Sequence, residues 1–178
     1  DAFRAFGVPV PEGATRDNLA RLDAALDRTA AQRLIVLGDF LHAKRGRSVA
    51  LFDALARWRA ARAALSILLV RGNHDDRAGD PPPEWDIECR EEPVDCPPFV
   101  WRHEPAASER GYVLAGHVHP AVALSGAGGL SATLPCFCFG KAVGLLPAFG
   151  DFTGMAVVRP RVGEQVFVVA DGVVLRKA

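Results

Sequence analysis

All five histidines of this chain sit inside short motifs: Gly38-Asp39-Phe40-Leu41-His42, Gly72-Asn73-His74-Asp75, Arg102-His103-Glu104 and Gly116-His117-Val118-His119. Imidazole is the commonest metal ligand, and carboxylates and amides supply harder oxygen ligands beside it. Asp39 can bridge two cations through its two carboxylate oxygens, and Asn73 offers an amide oxygen that needs no deprotonation. His103, His117 and His119 offer ring nitrogens. Two residues apart on an extended segment, His117 and His119 are expected to point to one side. Mixed oxygen and nitrogen ligation suits Mn, Fe or Zn and speaks against a thiolate zinc site. His74 follows a candidate ligand directly, which suits a general acid or a stabiliser of substrate charge, with Asp75 to orient it.

His42 lies three residues beyond Asp39, where it could line the site, touch a phosphate or bond to a neighbouring loop. With Lys44, Arg45 and Arg47 it makes up the candidate substrate-binding set, cations that could hold nucleic-acid phosphates. Each motif alone is weak, because a G-D dipeptide is usually a turn and a lone histidine beside a strand is usually structural. Four in this order carry the argument.

The elements that must position these residues follow from periodicity. Asp17 to Ala30 reads as an amphipathic helix with Leu19, Leu22 and Leu26 on one face. Leu34 to Leu37 and Ile67 to Val70 read as buried strands, each ended by a glycine and then a candidate ligand. A helix over about Ser48 to Ala63 lies between them, turning Leu51, Phe52, Leu55 and Trp58 inward. Strand, helix, strand predicts a parallel α/β unit, with the ligands at the C-terminal strand ends where such sheets place their sites. From Asp80 the Pro81-Pro82-Pro83 run marks a loop. The remainder reads as strands over 99–101, 112–115, 122–124, 132–139, 143–146, 156–158, 165–169 and 173–175, with an Asp171-Gly172 turn. Gly126 to Gly129 is a turn without the helix and lysine of a phosphate loop.

At 178 residues, one domain with a real core is expected. No apolar run reaches membrane-span length and no leader pattern is visible, so a cytoplasmic protein with no membrane partner is expected. The chain starts at Asp1 and its one methionine is Met155, so it is expected to lack its translated N-terminus. Basic and acidic residues balance at 21 each, which excludes a global field drawing in nucleic acid. Lys44 to Arg62 is nevertheless basic and Asp75 to Asp95 acidic, each read first as a solvated face or loop and second as a phosphate-guiding edge and its boundary. Cys89, Cys96, Cys136 and Cys138 form no C-x-x-C and are expected as free thiols, with Cys136 and Cys138 on one side of a strand. Trp101 and Phe149 could stack bases, although core packing is the first expectation for each.

In this order the motifs resemble the calcineurin-like metallophosphoesterases, whose pattern is D-x-H, G-D, G-N-H-D/E, a lone His and G-H-x-H. Gly38-Asp39, Gly72 to Asp75, His103 and Gly116 to His119 match four of the five. The chain is more closely similar to the bacterial ligase-associated DNA-damage-response endonucleases of that superfamily. The matching segments are Ala2 to Pro11, Leu37 to His42, Arg71 to Asp75, His103 to Pro105, Leu134 to Phe137 and Leu146 to Gly154. The resemblance implies a two-sheet α/β sandwich in α/β/β/α layers, with an N-terminal βαβ half and a strand-rich C-terminal half. It implies two divalent ions, Mn first with Fe or Zn as alternatives, and hydrolysis of single-stranded DNA in a repair setting. A ligase, helicase and exonuclease of a repair gene cluster are the implied partners.

In that comparison Asp39 is the bridging ligand, Asn73, His103 and His117 complete one site, His119 serves the other, and His74 is the acid. The D-x-H motif and its strand are missing from residues 1–178, which leaves the second site incomplete; truncation is expected rather than true loss. Two other readings stand beside this one. The first is a small-molecule phosphomonoesterase or cyclic-nucleotide phosphodiesterase, and the second a catalytically weakened module that binds DNA or repair proteins.

Overall fold

The computed structural model describes residues 13–41, 48–126, 129, 131–151 and 153–177. The described residues fall into two compact units, those of Asp1–Glu91 with Gly150–Phe152 and those of Glu92–Phe149 with Thr153–Ala178. His42, Lys44, Arg45, Arg47 and the Ala2 to Pro11 segment lie outside the described residues.

Among the described residues the first element of this unit is α1 (Ala14–Thr29), closed by Ala30 in a left-handed conformation whose N–H bonds back to Leu26 and Asp27. Next come β1 (Arg33–Val36), α2 (Val49–Ala61), β2 (Ser66–Val70), a short α3 (Asn73–Ala78), a 3-10 turn at Pro83–Trp85 and β3 (Ile87–Arg90). Ser48 caps α2, its hydroxyl accepting from Leu51 N at 3.2 Å. The three strands make a parallel sheet in the order β1-β2-β3. Central β2 is buried on both faces, which is why Ile67 to Val70 is an unbroken apolar run. Leu26, Trp58, Leu65 and Ile67 form one core cluster, and Leu41, Leu55, Ala78 and Trp85 a second.

β3 and α3 depart from the loop read from sequence. In Ile87-Glu88-Cys89-Arg90 the charges occupy the exposed positions of an edge strand, so an ordinary alternation hides inside an acidic run. The acids of that run are largely paired: Arg71 with Asp80 and Glu91, and Arg90 with Glu88. Of the described basic residues of the basic run Arg57 is exposed, and the other two are engaged within the fold. Arg59 is buried and donates to the carbonyls of Trp85 and Arg62, both at 2.6 Å, while Arg62 is paired with Asp23 and Asp27.

The second unit holds β4 (Val94–Cys96), β5 (Phe99–Arg102), β6 (Tyr112–Ala115), β7 (Pro120–Ser125), β8 (Ser131–Phe139), β9 (Val143–Leu145), β10 (Ala156–Val157), β11 (Gln165–Ala170) and β12 (Val173–Arg176). They form one mixed sheet in the order β10-β7-β8-β9-β6-β5-β4, with β11 also on β8 and β12 on β11. Long β8 serves two neighbourhoods: residues 131–135 pair with β7, and 136–139 pair with β11 and β9. Cys136 and Cys138 point to one side of it, as their spacing predicts, into a cluster with Val122, Val166 and Val168. All four cysteines are free thiols. The α/β class, the parallel N-terminal sheet and the strand-rich C-terminal half agree with the reading from sequence. No helix among the described residues is long and apolar enough to cross a membrane.

Candidate functional site

In the first unit, β1 and β2 end side by side because they are parallel and in register, Val36 opposite Leu69. The Asp39 and Asn73 turns therefore emerge as neighbours. Asp39 Oδ1 accepts from His74 N at 3.2 Å. Asp75 is buried, and its Oδ1 accepts from Leu41 N at 2.9 Å while Oδ2 accepts from Gly72 N at 3.0 Å. One carboxylate thus ties the Asp39 turn to the start of the Gly72-Asn73-His74 turn. Burial pushes the Asp75 carboxyl above its usual range, opposed by the backbone donors at Leu41 and Gly72.

In the second unit, β5 and β6 are also parallel, with Arg102 opposite Ala115. Their C-terminal ends release His103 and the Gly116 to His119 segment next to each other. His103 is 2 % exposed, and its Nε2 lies 2.9 Å from His117 Nδ1. Two nitrogens held about 2.1 Å from one cation and at right angles stand about 3.0 Å apart, so this pair fits two adjacent ligands of a single ion.

Gly116 to His119 is not the extended segment expected from sequence. β6 stops at Ala115, Val118 N bonds back to Gly116 O at 2.6 Å, and His117 and His119 both take left-handed backbone conformations, φ 60 and 50. His117 turns to His103. The Nδ1 of His119 lies 2.9 Å from Gly154 O. A ring whose Nδ1–H donates to a carbonyl presents its Nε2 lone pair outward, the arrangement usual for ligating histidines.

Asp39 is likewise left-handed, at φ 56. Three of the six non-glycine residues with positive φ among the described residues are thus candidate ligands. Such backbone costs about 1–3 kcal/mol per residue and persists where the surroundings over-determine it, most often at functional sites.

Glu92 was not singled out from sequence. Its Oε2 accepts from His103 N at 2.6 Å and from Glu104 N at 2.9 Å, and its Oε1 from Arg102 Nη2 at 3.2 Å. Nothing in the Glu91-Glu92-Pro93 string distinguishes it from the other acids of that run. Trp101 stacks on Phe99 with ring centres 5.5 Å apart, and its buried indole nitrogen has no hydrogen-bond partner among the described residues. Phe149, expected to pack in a core, is 50 % exposed.

No family model and no curated protein matches this chain. Among solved structures it is similar to a nuclease, MPE, of Pseudomonas putida. Identity is 41%, the match covers 94% of this chain and 81% of that one, and the TM-score is 0.84. On that likeness, the chain belongs to the family of the Pseudomonas putida nuclease MPE.

Proposed function

We propose that this protein is a metal-dependent nuclease that cuts phosphodiester bonds of single-stranded DNA. The close approach of His103 and His117 carries the metal part of the reading, and likeness to a nuclease supports the substrate class. By the motif resemblance, Asp39, Asn73, His103, His117 and His119 are the proposed metal ligands. The donor set of one carboxylate, one amide and three imidazoles suits Mn, with Fe or Zn as alternatives. Bound divalent ions would supply Lewis-acid polarisation and neutralise the charge on the phosphoryl oxygens.

The chain's own residues divide the remaining work. Asp75 holds the two turns of the first unit in register. The bond that His74 N donates to Asp39 Oδ1 fixes the backbone from which His74 projects as the proposed general acid, delivering a proton to the leaving oxygen. A DNA-repair setting, with a ligase, helicase and exonuclease as partners, is part of the proposal and comes from the motif resemblance.

The test is nicking of circular single-stranded DNA by the full-length protein. Mn is expected to sustain cleavage, a chelator to stop it, and Asp39→Ala or His74→Ala to lower it by at least about 10²-fold. Hydrolysis of nucleotides without nicking would replace this reading with a small-molecule phosphodiesterase. DNA retention without turnover at any metal would replace it with a binding module.

A further inference from the structure

We infer that Glu92 is a positioning residue for the metal ligand His103, acting through the backbone hydrogen bonds that its carboxylate accepts. The inference rests on the proposed metal centre and adds a residue to it. A histidine that ends a strand has two freedoms that matter to a metal: the direction in which its backbone leaves the strand, and the rotation of its ring. Ladder bonds to β6 fix β5 only as far as Arg102, the last residue in register.

Beyond that point one acceptor oxygen takes over. Glu92 Oε2 receives the N–H of His103 at 2.6 Å and of Glu104 at 2.9 Å, so two successive peptide groups are aimed at a single atom. Two converging bonds fix a peptide plane where one would leave a hinge. The other oxygen is engaged by Arg102 Nη2 at 3.2 Å, and both partners of this ion pair are about four-fifths buried, at 22% and 21% exposure. Charge-assisted bonds of this kind are stronger than neutral ones, and a largely buried acceptor has little water to turn to instead.

The held residue is one whose ring must be well aimed. His103 is buried and reaches His117 Nδ1 with its Nε2. Partners that orient a ligand from behind typically contribute 10–100-fold to metal affinity. The first unit has a parallel device, since Asp75 also accepts two backbone N–H bonds beside a proposed ligand. The two carboxylates do the same job on the turns that present Asp39 and His103.

Reach and charge can be separated by substitution. Glu92→Gln keeps the length and one acceptor oxygen but removes the charge. Glu92→Asp keeps the charge but is one methylene too short to meet both N–H groups. Equilibrium Mn binding and the thermal midpoint of the metal-free protein are measured for both, for Glu92→Ala, and for His117→Ala as a control.

The expected result is a loss of Mn affinity of about 10–100-fold in the Asp and Ala variants. The Gln variant should lose less than either, because its amide oxygen still accepts both backbone bonds although its NH2 can no longer accept from Arg102. If Gln loses affinity and Asp retains it, the role is electrostatic and the inference is overturned. If all three bind Mn as the parent does while only the metal-free midpoint falls, Glu92 is structural and the inference is again overturned. Should Glu92→Ala not fold, the Gln and Asp comparison still decides. His117→Ala binding Mn like the parent would instead remove the metal centre itself, an outcome separate from failure at Glu92.

Discussion

His103 Nε2 and His117 Nδ1 stand 2.9 Å apart at the C-terminal ends of two adjacent parallel strands. Two imidazoles so placed either share one proton or share one cation. The second case predicts strong coupling between them. His103→Ala and His117→Ala should each weaken Mn binding, and the double variant should be little worse than either alone. A coupling energy of about 1–3 kcal/mol in a double-mutant cycle is expected. Additive losses would show that the two rings serve different ions.

Arg59, although part of a basic run, is committed to the fold. Its guanidinium satisfies the carbonyls of Trp85 and Arg62 from a buried position. Arg59→Ala leaves those acceptors without their donor and should lower unfolding free energy by about 2–4 kcal/mol. Urea denaturation measures this; a loss below about 0.5 kcal/mol, the ordinary range for surface changes, would contradict it.

Gly111 has no room for a methyl group. A Cβ there would meet Pro98 O at 2.6 Å, and that oxygen already accepts from Tyr112 N at 3.0 Å. Backbone on both sides cannot easily yield, so Gly111→Ala should cost about 1–3 kcal/mol. The thermal midpoint is the readout, and an unchanged midpoint would show that the β5–β6 approach can open.

Cys138 carries a pH signature. Burial, followed by the nearby Glu164 carboxylate, pushes its thiol from an ordinary 9.0 up to about 11. The folded chain therefore keeps a proton that the unfolded chain releases. Its contribution to stability is complete below about pH 9 and is lost as the pH climbs to about 11, by up to about 1.4 kcal/mol per pH unit. Burial raises Cys136 in the same direction. Between pH 8 and 10 Cys138→Ala should lose less stability than the parent, and equal losses would refute the assignment.

Most of the fold is legible in the sequence, because buried strands such as Ser66–Val70 and the helix before them announce themselves by apolar runs and periodicity. β3 is not, since an edge strand with one half-covered face needs only Ile87 and Cys89 to be apolar. The candidate ligands are legible by residue type. Their backbone is not: a G-H-V-H string suits a strand as well as a turn, and what decides is that β6 ends at Ala115 and β7 begins at Pro120. Glu92 is illegible for another reason. Its role lies in bonds to residues 11 and 12 positions away, and no local pattern records them.

If Asp39, His117 and His119 are metal donors as proposed, their left-handed backbone sets stability against function. Glycine adopts that conformation without penalty and asparagine nearly so. Glycine would relieve strain at these three positions and remove a donor at the same stroke. A laboratory selection that rewarded heat resistance alone would thus erode the donor set early, yielding hardier proteins that no longer cut. Thermostable variants of this nuclease family are best sought with these three positions held fixed and cleavage scored in every round.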